Sequence, residues 1–213
     1  MRVKVSSTKN TKVVDNLRAM CYAVGMEGVP MQGSMNARRM AYVAMCVVLM
    51  AICSWITIPA TVPFTLQTFA VFTTCALLGG RLGLYSVCVY ILLGAVGLPV
   101  FSGFGAGFGV ILGPTGGYML GFVFTALSMW GVEARFGRGN VARVCGMVLG
   151  LALCYAFGTA WFMAVYARGG GAVSLGAALS MCVLPFILPD CAKIALATLL
   201  SARLRDRLKL QKL

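Results

Sequence analysis

Between Arg39 and Arg203 the chain carries only eight charged side chains, and six of them (Arg81, Glu133, Arg135, Arg138, Arg143 and Arg168) fall at the ends of apolar runs. A helix of about 20 apolar residues crosses a bilayer with every backbone hydrogen bond satisfied internally, which is the requirement lipid imposes. Apolar residues form 60% of the 213 and charged residues 11%, far from the roughly one-half and one-quarter shares of a soluble domain. The composition therefore predicts an all-α membrane protein with a single membrane domain.

Hydropathy places six transmembrane helices at about 40–58, 65–79, 82–97, 117–135, 141–167 and 186–204, separated by glycine and proline clusters. Residues 1–36 read as a polar, disordered cytoplasmic tail, 37–206 as the six-helix domain, and 207–213 as a basic cytoplasmic tail. With the N-terminus inside, the cytoplasmic side receives Arg38, Arg39, Arg81, Arg135, Arg138, Arg143, Arg203, Arg205, Arg207, Lys209 and Lys212, and the outside only Arg168. That asymmetry predicts an even number of crossings and two cytoplasmic termini. The apolar stretch 172–184 is too short to cross and reads as a helix dipping in from the outer face. The net charge of +13 anchors the protein in this way, and its distribution gives no nucleic-acid surface.

Nine cysteines and no histidine exclude much chemistry. Cys46, Cys53, Cys75, Cys88, Cys145, Cys154 and Cys182 lie in apolar segments without a C-x-x-C pair, so they read as small buried hydrophobes rather than metal ligands or disulfides. Glu133 and Arg135 read as a cytoplasmic surface pair.

The two remaining charges are different. Asp190 and Lys193 stand inside the apolar run from Leu184 to Leu200, three residues apart and thus on one helix face. Charges at membrane depth are costly, so they pair, line a cavity and mark a substrate path. Pro185 and Pro189 are expected to start a helix beside Asp190, bringing free first-turn amides to the same patch. By the topology above, the pair lies in the outer half of the last helix. The segment from Leu98 to Tyr118, long and rich in glycine, joins helices 3 and 4 on the outer side and reads as a lid over an outward-facing pocket. It is no phosphate loop, since G-x-x-x-x-G-K-[ST] occurs nowhere in the chain.

Four motifs occur in order: Thr65-Leu-Gln-Thr68 after a proline-flanked loop, Gly97-Leu-Pro-Val-Phe101, Gly113-Pro-Thr-Gly-Gly-Tyr118, and Pro189-Asp-x-x-Lys193. Together they resemble BioY, the biotin-specific, substrate-binding S component of energy-coupling-factor vitamin transporters, over roughly residues 40–205. The resemblance implies a six-helix subunit of the bacterial cell membrane that captures biotin from outside, without enzymatic activity or cofactor. Its implied partners are a transmembrane coupling subunit and two ATP-hydrolysing subunits. Its implied ligand residues are Asp190, Lys193, Gln67, Thr115, Gly116, Gly117 and Tyr118. S components often carry small residues four apart on the first helix where the coupling subunit docks; here Ala37 and Ala41 keep that spacing, with Met45 next.

The chemistry agrees with the resemblance. Biotin presents ureido N–H donors and a carbonyl, an apolar bicycle and a carboxylate. Asp190 can accept from the ureido group, and Lys193 can meet either the carboxylate or the ureido carbonyl. Tyr118 and Trp161 can pack on the bicycle. On residues alone the alternatives are a structural ion pair at 190 and 193, a loop amide at Gln67, and interfacial anchors at Tyr118 and Trp161. An intramembrane enzyme would need a nucleophile with a base, for which the chain offers little; an ion-driven carrier would show an internal repeat, and none is visible.

Overall fold

The computed structural model describes residues 37–58, 63–168, 171 and 173–208. The expected tail 1–36 and the segment 209–213 lie outside the described residues. Six helices follow the apolar runs: α1 Ala37–Trp55, α2 Gln67–Leu78, α3 Gly80–Ala95, and, after the short α4 Phe108–Leu112, α5 Gly116–Phe136 and α6 Asn140–Arg168. The sixth, α8 Leu184–Leu208, follows the eight-residue α7 Leu175–Cys182. The helix expected to dip in at 172–184 is α7. By length and composition Ala37–Trp55, Asn140–Arg168 and the tract Leu175–Arg205 are long and apolar enough to cross a membrane, whereas α2 and α3 are shorter, at 12 and 16 residues.

α2 is the innermost helix. Nine of its residues are buried, including Gln67, Phe72, Cys75 and Leu78, because it touches α1, α3, α5 and α8 on different sides. A helix that is apolar all round has no reason to face water, and here it has no room to. At about 1.5 Å per residue it is about 18 Å long, so the chain must carry polar connections into the bundle at its start.

α5 and α6 form the most extensive interface of the bundle, an antiparallel hairpin zipped by small residues. A Cβ on Gly150 would stand 2.6 Å from Ser128 Oγ and 2.8 Å from Thr125 Cα, so only glycine permits this approach. The Thr125 and Ser128 hydroxyls reach the carbonyls of Gly150 and Gly146, each at 3.1 Å. Close backbones and interhelical hydrogen bonds replace the hydrophobic drive that lipid removes.

Three sequence expectations change. The segment between α3 and α5, expected as a long glycine-rich loop, holds helical turns of its own. It contains a 3₁₀ turn, Ser102–Phe104, and α4, and it is pinned at both flanks of that turn. Phe101 is fully buried where α3 has Gly94, its ring edge-on to Tyr90 at 5.6 Å. Trp55 stacks on Phe104 at 4.9 Å and donates to the Pro99 carbonyl at 3.0 Å. Next, α8 does not begin at Asp190. Leu184 opens it, Pro185 sits in the first turn where its missing N–H costs nothing, and Pro189 lies inside the helix. Asp190 is thus in the second turn, away from the free amides expected beside it. Finally, Glu133 does not pair with Arg135. Its Oε2 accepts from the Gly80 N–H at 2.8 Å, capping the start of α3, with Arg138 Nε at 3.9 Å. The one-residue link at Gly79 brings that helix start against the end of α5. Among the cysteines, Cys145 lies exposed on α6 and Cys88 is half-buried, while Cys46, Cys53, Cys75, Cys154 and Cys182 are buried as expected.

Glu133→Ala strips a carboxylate from a buried amide, at a cost of about 1–3 kcal/mol. Thermal unfolding in detergent should fall by about 2–4 °C per kcal/mol lost, whereas Arg135→Ala should leave it unchanged. Equal effects from both would return Glu133 to the surface pair.

Candidate functional site

The start of α2 and the second turn of α8 lie side by side, and a short antiparallel ladder closes over them. It pairs β1 Thr57–Ile58 with β2 Phe64–Thr65, Thr57 opposite Thr65 and Ile58 opposite Phe64. Asp190 and Lys193 are one turn apart on the face of α8 that also buries Ile194, Ala197 and Ser201. Their side chains are 2% and 6% exposed, so neither charge reaches solvent.

Every proton of Lys193 is used, and both oxygens of Asp190 accept hydrogen bonds. Lys193 Nζ donates to Asp190 Oδ1 at 2.8 Å, to Thr68 Oγ1 at 2.9 Å and to the Thr65 carbonyl at 2.7 Å, using all three of its protons. It also stands over the Phe64 ring, 4.3 Å from the centroid. Thr68 passes its own proton on to Asp190 Oδ1 at 3.2 Å. The second carboxylate oxygen accepts from the Tyr155 hydroxyl on α6 at 2.5 Å. The Thr65 carbonyl is available because β2 ends and α2 begins there, leaving backbone without a ladder or helix partner. Removing two ions from water is costly, and only such a complete set of partners offsets it.

These groups form one wall of a cavity of about 70 Å³, lined among others by Gln67, Thr115, Tyr118, Phe122, Cys154 and Phe186. Gln67 is held from behind: its Nε2 donates to the Tyr90 hydroxyl at 2.8 Å, and Tyr90 donates to the Val100 carbonyl at 2.8 Å. Phe186 stacks at 5.9 Å on Phe64, the ring that lies over Lys193. Tyr118, Met119 and Phe122 give the lining an aromatic and apolar part.

Of the residues named from the sequence, Asp190, Lys193, Gln67, Thr115 and Tyr118 come together around this cavity. Gly116, Gly117 and Trp161 do not line it. Gly116 is pressed on the Ile111 carbonyl, and Gly117 on the Trp161 Cβ, where a methyl would overlap either neighbour. Trp161 turns its Nε1 to the Gly113 carbonyl at 3.0 Å, and thereby ties α6 to the segment ahead of α5. Ala37 and Ala41 are exposed on α1, as is Met45, and none of them lines the cavity.

Sequence reasoning missed Tyr155, Thr68, Phe64 and Phe186. Tyr155 carried one signal: a tyrosine within an apolar span needs a partner for its hydroxyl. Which partner could not be read, because 35 residues separate it from Asp190. Chemically, the site presents a carboxylate, an ammonium, an amide and several hydroxyls beside aromatic and apolar side chains. That suits a compact ligand with both donors and acceptors on an apolar body.

The sequence matches the BioY family over residues 27–210. It is 38% identical to the probable biotin transporter BioY of Pyrococcus horikoshii over 172 residues, 80% of this chain and 98% of that one. It is 37% identical to the biotin transporter BioY of Thermotoga maritima over 158 residues, 74% of this chain and 89% of that one. Among solved structures, the S component for biotin from an ECF-type ABC transporter superposes with a TM-score of 0.71 at 25% identity, covering 81% of this chain and 95% of that one.

Lys193→Met leaves Asp190 as a buried charge without its cation and should destabilise the fold by about 3–5 kcal/mol. Adding Asp190→Asn should recover part of that loss, since both charges are then gone. Detergent unfolding of the two single variants and the double variant measures the coupling. Strictly additive losses would mean that the two groups do not act as a pair.

Proposed function

The chain belongs to the BioY family, and from that premise we propose that it captures biotin at the outer face of a bacterial cell membrane for ATP-driven uptake through an energy-coupling-factor transporter. The observation that carries this reading is the buried Asp190–Lys193 pair facing a cavity with an aromatic wall. The names of its relatives and of its solved structural neighbour point to the same vitamin.

The proposed recognition follows the donors and acceptors present. Asp190 accepts ureido N–H groups, exchanging the Tyr155 hydroxyl for a ligand donor. Lys193 retains Thr65 and Thr68 while turning one proton to the ligand. Tyr118 and Phe122 cover the bicycle, with Gln67 and Thr115 offering polar contacts at its rim. Gly116, Gly117 and Trp161 act behind them, setting where Tyr118 stands. In a low-dielectric pocket each charge-assisted contact counts for more than at a wet surface.

The proposed topology has α1, α2, α3, α5, α6 and α8 crossing the membrane, with both termini and the tails 1–36 and 207–213 in the cytoplasm. The ladder, the segment 98–115 and α7 then face outward around the cavity. α1 begins at the opposite end, where the exposed Ala37 and Ala41 would meet the coupling subunit. Two ATPase subunits supply the energy, because this chain has no phosphate-binding loop of its own. The ligand is bound and released unchanged.

Titration of the purified protein with biotin tests the proposal. Asp190→Asn should weaken binding by about 2–5 kcal/mol while leaving membrane insertion intact. Unaltered affinity in that variant would remove Asp190 from the ligand set, and chemical conversion of the vitamin would replace a binder with an enzyme.

A further inference from the structure

The hydroxyl of Tyr90 is the middle of a short chain of hydrogen bonds that starts at Val100 and ends at the cavity. The Val100 carbonyl can only accept, so the Tyr90 hydroxyl, 2.8 Å away, donates to it. A phenol has one proton, and this contact uses it. Whatever meets the Tyr90 oxygen from the other side has to donate, and the group there is Gln67 Nε2 at 2.8 Å. The reversed amide would press two oxygens together in a buried contact, with no proton between them. Tyr90 therefore fixes which way round the Gln67 amide stands. Among the described residues, nothing donates to Gln67 Oε1.

Val100 is itself held in place. The Ser54 hydroxyl lies 2.6 Å from the same carbonyl, and the Val100 N–H donates to the Leu98 carbonyl at 2.8 Å. The next residue, Phe101, is fully buried against Gly94, and Tyr90 is fully buried edge-on to its ring. Across the cavity lining, Asp190 Oδ1 already takes Lys193 and Thr68, which leaves Oδ2 as the position that a ligand takes over from Tyr155. A ligand with two N–H groups then needs a second acceptor.

We infer that Tyr90 is a positioning residue for ligand specificity: by holding the Gln67 amide with its oxygen toward the cavity, it makes Gln67 the acceptor for one N–H of a cyclic urea whose other N–H meets Asp190. Tyr90 stands outside the cavity lining and acts only through Gln67. This role rests on the biotin reading above and adds how the site tells a ring N–H from a ring oxygen. A ring oxygen at that position sets a lone pair against Oε1, and the amide is not free to turn its own N–H groups round.

The test uses the full chain in detergent and three ligands: biotin, and the two cyclic carbamates in which one or the other ureido N–H is replaced by oxygen. Each carbamate should bind the wild type about tenfold or more weaker than biotin, one losing its bond to Asp190 and the other its bond to Gln67. Tyr90→Phe keeps the ring against Phe101 and removes the hydroxyl, so the amide turns. This variant should largely abolish the penalty on one carbamate and leave that on the other unchanged. Gln67→Leu should abolish the same penalty, and adding Tyr90→Phe to it should change no ratio, because nothing is left to orient. A Tyr90→Phe variant that weakens all three ligands by one common factor overturns the inference, since that is what a merely structural tyrosine would do. Unchanged carbamate penalties in Gln67→Leu overturn it whatever Tyr90→Phe does, as does a wild type that binds either carbamate as tightly as biotin. A wild type that binds none of the three overturns the biotin reading itself, and this role with it.

Discussion

A lysine and an aspartate held together away from water dictate how this end of the molecule is built. Taking either out of water alone would be costly, and together they still call for further donors and acceptors. Thr65, Thr68 and Tyr155 supply them. Those partners arrive from three separate elements: the end of β2, the start of α2, and the middle of α6. The pair therefore works as a registration point, because only one arrangement of α2, α6 and α8 satisfies it.

That arrangement is possible because the helices come unusually close. Glycines at 117, 150 and 158 accept Trp161, Ser128 and Tyr118 where any side chain would collide. The seam between α5 and α6 then needs little volume, and space is left on the other side of α6 for a cavity instead of core. α2, being short, starts within the bundle, so the chain leading into it presents carbonyls and hydroxyls at depth. Polar backbone at such a depth is tolerated only where protein surrounds it or a cavity adjoins it. Both conditions hold at Thr65.

The site is joined mechanically to its surroundings. Gln67 rests on Tyr90, Tyr90 on the Val100 carbonyl, and Phe101 in the space left by Gly94. Trp161 bonds the Gly113 carbonyl just ahead of Thr115. A displacement of the glycine-rich segment is thus felt at Gln67 on one side and at Tyr118 on the other. Glycines in that segment supply conformations: Gly103, inside the 3₁₀ turn, and Gly107, just ahead of α4, take positive φ angles of 64° and 84°.

Hydropathy and charge distribution alone marked the apolar helices to within a few residues of their observed ends, because lipid demands long uncharged runs and chain breaks demand glycine or proline. They also singled out Asp190 and Lys193, since a charge inside such a run is conspicuous whatever its partners. Gln67, Thr115 and Tyr118 were legible through a motif resemblance and not through any physical pattern. What the one-dimensional text could not contain was adjacency across the bundle. Tyr155 looks like any membrane tyrosine until α6 is laid against α8, and Glu133 looks like a surface acid until Gly79 folds α3 back upon α5. Gly117 and Trp161 read as ligand contacts, yet packing turned each toward the other. Periodicity is a local property that neighbouring residues impose on one another, so sequence carries it. The partner of a buried polar group is chosen by which helices meet, and only the tertiary structure decides that.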